Sequence, residues 1–185
     1  MADSNALINR VKSGDNIAAG DLITLYQDKV FSICYSFLNN IQDTEDLTQE
    51  VFIDVLKNLK NFRGDSSPGT WIYRIAVNHS LNFIRNKKKY RFWKHLDDIL
   101  TLKPVKEEPA SDELILEKEE EKIILMKAID SLPENQKSAF TLNKIDELSY
   151  NEVSEIMGIS LSATESLIHR AKINLQKSLR QYFKE

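Results

Sequence analysis

Between Arg74 and Lys94 the chain gathers groups able to hold a nucleic acid. Arg74, Asn78, Asn82 and Arg85 lie on one predicted helix, followed by the run Lys87, Lys88 and Lys89 and then Tyr90, Arg91, Phe92, Trp93 and Lys94. Cations neutralise phosphates, and aromatic rings stack bases at about 1–3 kcal/mol each, a combination that suits single strands. The plain alternatives are a solvated helix end for the basic run and core packing for Trp71 and Tyr73. A second constellation, Asp43, Asp46, Gln49, Glu50 and Asp54, is what a helical stripe of Leu47, Val51, Val55 and Leu59 leaves outside. It reads either as a solvated face or as a face for protein docking, and pattern alone does not choose. Catalysis has no comparable cluster: there is no Gly-rich phosphate loop, no nucleophile with an evident base, and three scattered histidines with one cysteine make no metal site. No enzymatic activity, cofactor or metal is expected.

The elements that must position these groups are predicted to be helices throughout. Leu7, Ile8 and Val11 mark a short amphipathic helix ending near Gly14; a longer one carries Leu22, Leu25, Tyr26, Val30, Ile33, Cys34 and Phe37 on its apolar face. Cys34, among Ile33, Tyr35 and Phe37, reads as a small core residue. Asn39 and Asn40 punctuate, and Asp43 or Thr44 can cap the next helix. Phe62 to Trp71 is a loop by composition, and the following helix offers Trp71, Ile72, Ile75, Leu81 and Ile84 to a core.

Residues 96–111 lose the helical period and contain Pro104 and Pro109, which predicts a flexible acidic linker between domains at 1–95 and 112–185. Apolar periodicity returns through Ile115, Ile123, Ile124, Met126 and Ile129, and Pro133 opens a helix that turns Phe140 and Leu142 inward. Then comes LSYNEVSEIMGISLSATESLIHRAKINLQKSL. Val153, Ile156 and Met157 precede a Gly158 stop, and Thr164, Leu167, Ile168, Ala171 and Leu175 follow it. Ser149 with Glu152 has the form of a capping box; Ser160 or Ser162 can cap the second helix, the pair Ser162 and Glu165 favouring the later start. This is a helix-turn-helix pattern, whose second helix enters the DNA major groove, or else an ordinary helical hairpin burying its own core.

The 185 residues carry a net charge of −3, distributed unevenly. Residues 62–95 hold eight basic groups and one acidic, 96–121 hold three basic and ten acidic, and 161–185 hold five basic and two acidic. Two basic blocks parted by an acidic one suggest two phosphate-contacting patches joined by a segment that avoids DNA. No apolar run approaches a membrane span or a signal peptide, so a cytoplasmic protein without direct membrane insertion is expected.

DTEDLTQEVFIDVL, NFRGDSSPGTWIYRIAVNHSLNFIR and AIDSLPENQKSAFTLNKIDELSYNEVSEIMGISLSATESLIHRA resemble, in order and spacing, the two conserved regions of a small sigma factor of the extracytoplasmic-function type. The resemblance implies an all-α chain of two small helical domains, the C-terminal one a helix-turn-helix, that binds core RNA polymerase and directs promoter recognition, melting and initiation. It implies docking on the β′ clamp helices through Asp43, Asp46, Gln49, Glu50 and Phe52, and on the β flap. Capture of the minus-ten element as a single strand would fall to Phe62, Trp71, Arg74, Asn78, Asn82, Arg85, Lys87 and Lys88, with Asn78 at the pocket for a flipped-out base. Duplex reading of the minus-thirty-five element would fall to Ser162, Glu165, Ser166, His169, Arg170 and Lys172. Glu165 and Leu167 depart from the cations common at these positions, so Leu167 is expected to pack, and Glu165 to accept from a cytosine or favour the helix N-terminus. An anti-sigma factor is a further implied partner. Two other readings are a stand-alone helix-turn-helix regulator and an all-helical adaptor that binds a regulator and no DNA.

Overall fold

The computed structural model describes residues 4–101, 113–180 and 182, the side chains of 88–101, 113–120 and 122 excepted. Most of the expected linker, 102–111, thus lies outside the described residues, as do the side chains of Lys88 and of the aromatic groups from Tyr90 to Trp93. Among the described residues there are eight α-helices and no strand: α1 Ser4–Lys12, α2 Asn16–Leu38, α3 Ile41–Asn58, α4 Pro68–Thr101, α5 Glu113–Asp130, α6 Glu134–Lys144, α7 Tyr150–Met157 and α8 Leu161–Leu179. A 3₁₀ turn, Leu59–Asn61, follows α3.

Local chemistry sets most of the boundaries. The Asp15 carboxylate accepts from the amides of Ile17 and Ala18 and starts α2, which ends where Asn39 takes a left-handed φ of 51°. Asn40, not Asp43 or Thr44, caps α3: its side-chain oxygen accepts from Asp43 N at 2.9 Å. Once that amide serves as cap, Asp43 falls in the first turn, where its charge favours the positive helix end. The capping box at Ser149 forms in full, and Gly158 closes α7 at φ 66°. Ser160 caps α8, its hydroxyl accepting from Ala163 N at 3.2 Å, so the Ser162 start is set aside. Ser162 already lies in the first turn because only Ile159 separates Gly158 from the cap. α4 runs to Thr101, beyond the expected break at 96. Extending a nucleated helix adds one hydrogen bond per residue fixed, and no proline interrupts before Pro104.

α2, α3 and α4 wrap a core through Leu22, Val30 and Ile33 of α2, Leu47, Val51 and Val55 of α3, and Ile72 and Ala76 of α4. Leu25, expected inside, is 52% exposed, one step off the stripe that buries Leu22 and Tyr26. Ile123 is likewise exposed, whereas Trp71, Ile75, Leu81 and Ile84 are half-buried against the core. Cys34 is fully buried, and desolvation pushes its thiol up to about 11. A thiol so seldom ionised and so enclosed is expected to resist iodoacetamide in native buffer and to react at once in denaturant, which mass spectrometry of the two samples checks.

The C-terminal helices do not form a separate island. Ala128, Ile129, Leu132, Ala171 and Leu175 make a small core between α5 and α8. By contrast, Leu142, Leu148, Val153, Ile156 and Ile168 are continuous with the core of α1 to α4. An eight-residue α7 has too little apolar surface to bury alone and finds it on α4. Asp146, 3% exposed in the α6–α7 connection, fastens the same junction. Its carboxylate accepts from Ser32 Oγ at 3.0 Å and Ser36 Oγ at 2.8 Å, and its carbonyl accepts from Lys29 Nζ at 2.6 Å.

Burial raises the Asp146 carboxyl above the ordinary carboxylate value, the Ser36 and Ser32 hydroxyls and the Lys29 cation pulling it partly back. A carboxyl harder to ionise when folded holds its proton to higher pH than it does unfolded. Native stability therefore falls as pH rises from about 4 through the raised value, and is flat above it. Asp146→Asn, which cannot titrate, should lose this slope: thermal midpoints of the two proteins compared from about pH 4 to about pH 7 should show the native chain losing ground to the variant as pH rises.

Candidate polymerase and nucleic-acid interfaces

On α3, Asp46, Gln49 and Glu50 stand exposed on one side of the helix. Asp43 is half-buried and ion-paired, its Oδ2 lying 2.6 Å from Lys87 Nζ of α4. Such a pair at the surface is worth about 0–1 kcal/mol and opens readily. Asp54 is also engaged at the surface, accepting from Asn58 Nδ2 at 2.6 Å and meeting His79 Nε2 at 3.1 Å. Phe52 is 6% exposed, so it cannot project as a free docking group. It instead floors a hollow of about 340 Å³ bounded by Ile23, Gln27, Gln49, Ile53 and Leu56. Ile53 is open to solvent at the rim. An apolar slot on the helix that also exposes Asp46 and Glu50 suits a partner with cations flanking an apolar side chain. Ile23, Ile53 and Leu56 had no place among the expected site residues; exposed Ile53 beside Glu50 was the available signal.

The loop before α4 is held by Ser67, whose hydroxyl accepts from Thr70 N at 3.0 Å. Phe62 is 7% exposed, its ring centroid 5.3 Å from that of Trp71 and beneath Lys12 Nζ at 5.6 Å. It therefore supports Trp71 from below and presents no open face to a base. Arg74, Asn78, Leu81 and Arg85 then recur three and four residues apart, which puts them along one side of α4. Asn82 is exposed beside them, and its side-chain oxygen accepts from Arg85 Nη1 at 3.2 Å. Asn78 opens on a cleft of about 390 Å³ lined by Arg74, Val77, Leu81 and Arg85 from α4 and by Glu134, Ser138 and Met157 from the C-terminal half.

The cleft has two walls because the halves touch across it. Arg74 donates from Nε to the Ile156 carbonyl at 3.2 Å and from Nη2 to the Glu155 carbonyl at 2.5 Å. Thr70 Oγ1 donates to Glu155 Oε2 at 3.1 Å. Arg85 forks onto the Glu134 carboxylate, with Nε 2.9 Å from Oε2 and Nη2 on Oε1. Sequence reasoning brought Arg74, Asn78 and Arg85 together correctly but missed their partners, which lie 49 to 82 residues away.

On α8, Ser162, Glu165, His169, Arg170 and Lys172 are exposed and Ser166 is half-exposed. Leu167 packs against the main core, as its type suggested. Asn174 Nδ2 donates to Gln136 Oε1 at 2.8 Å and ties α8 to α6. The outward side of α8 thus offers hydroxyls, an imidazole, two cations and one carboxylate, a mixed donor and acceptor set of the kind that reads base edges.

A two-part helical chain with a capped helix-turn-helix behind a basic, amide-bearing helix has clear relatives. Residues 22–90 match the family Sigma-70 region 2, and residues 122–175 match Sigma-70, region 4. The chain is 33% identical over 181 residues to the ECF RNA polymerase sigma factor SigW of Bacillus subtilis, covering 94% of this chain and 95% of that one. It is 35% identical over 170 residues to the ECF RNA polymerase sigma-E factor of Escherichia coli K12, covering 90% and 88%. Among solved structures, CnrH in complex with the cytosolic domain of CnrY shares the fold at a TM-score of 0.66 and 21% identity, over 95% of this chain and 96% of that one. The sigma factor RpoE of Bartonella quintana, solved with the anti-sigma factor NepR, shares it at 0.57 and 21%, over 87% and 96%. The chain belongs to the extracytoplasmic-function sigma factors of the sigma-70 family. As such it is a transcription initiation factor, a sigma subunit that directs RNA polymerase to promoters.

Proposed function

We propose that two units, residues 1–95 and 112–185, divide promoter recognition between them. The α3 face, through Asp46, Gln49, Glu50 and the hollow over Phe52, docks the clamp helices of the polymerase β′ subunit. Asp43 joins it once Lys87 lets go. The side of α4 through Arg74, Asn78, Asn82 and Arg85 takes the minus-ten element as a single strand, with Trp71 on its Phe62 shelf and the charges of Lys87 and Lys88 adding to its attraction for phosphates. Asn78 receives a flipped base, its amide pairing with the base edge and offsetting the few kcal/mol lost in unstacking. The C-terminal unit meets the β flap and lays α8 in the duplex at minus thirty-five, where Ser162, Glu165, Ser166, His169, Arg170 and Lys172 face the groove. An anti-sigma factor is the expected negative regulator, a reading supported by the like-folded RpoE of Bartonella quintana, solved with the anti-sigma factor NepR. Acting with polymerase, the chain would work in the cytoplasm; no described helix is long and apolar enough to cross a membrane.

The observation that carries the reading is the row Arg74, Asn78, Leu81 and Arg85 opening on one cleft. Run-off transcription on a genomic fragment library, with core polymerase plus and minus this protein, tests it. New start sites sharing two spaced elements are the expected result, and their absence with folded protein and active core would overturn it.

A further inference from the structure

We infer that the hollow where α2, α4, α5 and α6 meet is a binding site for a small amphipathic anion, a carboxylate or sulfonate on an apolar body, with Lys137 and Lys87 taking the charged head. It shares no lining residue with the cleft at Asn78 or with the hollow over Phe52, and of its residues only Lys87 is also assigned to promoter DNA.

The hollow measures about 390 Å³. That lies within the range of about 300–1,000 Å³ usual for small-molecule sites, whose walls are mostly apolar with a few polar groups that fix orientation. Phe37 and Leu38 of α2 and Phe83 and Ile84 of α4 supply the apolar wall, and Asp130, Lys137 and Lys87 the polar groups. Lys137 is unusually enclosed for its type: its side chain is 10% exposed, whereas that of its partner Asp130, 2.5 Å away, is 66% exposed. The cation is drawn beneath the surface while its carboxylate stays largely in water. Lys87 lies over the Phe83 ring, its Nζ 5.5 Å from the centroid, and reaches Asp43 Oδ2 at 2.6 Å.

An ammonium carries three donors and no acceptor. Among the described residues Lys137 and Lys87 each donate one hydrogen bond, to one carboxylate apiece. Burying a cation costs free energy unless its donors are filled, so Lys137 gains from a further acceptor. An anionic head supplies that acceptor, and an apolar body covers Phe37, Leu38, Phe83 and Ile84. Neither part suffices: inorganic phosphate leaves the wall wet, and an alcohol or amine brings no charge to the lysines. Asp130 competes with the head for the same ammonium and therefore sets the affinity. An occupant touches α2 and α4 with its body and α6 with its head, which gives the chain a small-molecule input separate from its macromolecular partners.

Isothermal titration of the full chain with octanoate, octanol and octylammonium tests this without polymerase or DNA, so its failure leaves the promoter reading standing. One octanoate per chain is expected, bound at least about 10-fold more tightly than the other two. Lys137→Met keeps the apolar stem and should weaken octanoate about 10-fold; Lys87→Met, at a more exposed side chain, should weaken it by about 3-fold. Asp130→Asn removes the competing carboxylate and should tighten octanoate about 3–10-fold, a gain that damage to the fold cannot produce. Helical circular dichroism and a cooperative melt establish that the variants fold, and Asp130→Asn, at an exposed position, carries the test if Lys137→Met does not. Octanoate bound no more tightly than octanol, or an affinity that Asp130→Asn leaves unchanged, would show an adventitious apolar hollow only and overturn the inference.

Discussion

Asn78→Ala is expected to bind core polymerase like the parent chain and yet to form open complexes about 10–100-fold less well, the loss of one good base-edge pairing at about 1–3 kcal/mol. Asn78 is exposed where it opens on the cleft and is not part of the core, so its amide can be removed without disturbing Ile72 or Ala76. The measurement is permanganate footprinting of melted promoter alongside a polymerase-binding titration. Equal losses in the two would place Asn78 in docking; no loss in either would empty the pocket of its role. Asn78→Asp is a sharper companion, since it keeps the shape, reverses two donors to acceptors and adds charge beside the strand. It should be at least as damaging.

Asp46→Lys with Glu50→Lys is expected to weaken core polymerase binding by roughly 30-fold or more, the effect of about 2 kcal/mol when charges central to an interface are reversed. Both side chains are exposed on α3 and neither has a described hydrogen bond or ion pair to another part of the chain that the change would break. Thermal stability should move by less than about 0.5 kcal/mol. Fluorescence anisotropy of labelled protein against core polymerase reads the affinity. Unchanged binding would return this side of α3 to solvent and leave the hollow over Phe52 as the sole docking feature.

Much of this was legible from residue order. The stripe Leu22, Tyr26, Val30, Ile33 and Phe37, the Ser149 capping box and the Gly158 stop all act within one or two helical turns, which is the range over which pattern speaks. Asn40 was read as punctuation although its side chain starts α3, because Asn, Asp and Thr can all cap and only the fold selects among them. Ser162 and Glu165 had the spelling of a capping box without its geometry, the turn after Gly158 closing two residues earlier, at Ser160. Phe52 and Phe62 were placed on working surfaces by the family resemblance; both are buried, and each shapes a surface from beneath. Least legible was the junction between halves, since Arg74 meets Ile156 across 82 residues with no local trace in either segment.

The extent of α4 bears on promoters in a way that its side chains do not. At 1.5 Å per residue its 34 residues form a rod of about 51 Å, and Thr101 stands some 35 Å along the axis from Asn78. Only residues 102–112 join it to α5, and a chain of that length spans at most about 40 Å. Rod and leash together set the farthest that α8 can stand from the Asn78 pocket while both belong to one molecule. Under the proposed division of promoter reading, the spacer between the two elements is metered by the protein's own contour, and inserting residues between Thr101 and Glu113, rather than altering any base contact, is the change expected to widen the range of spacers it accepts.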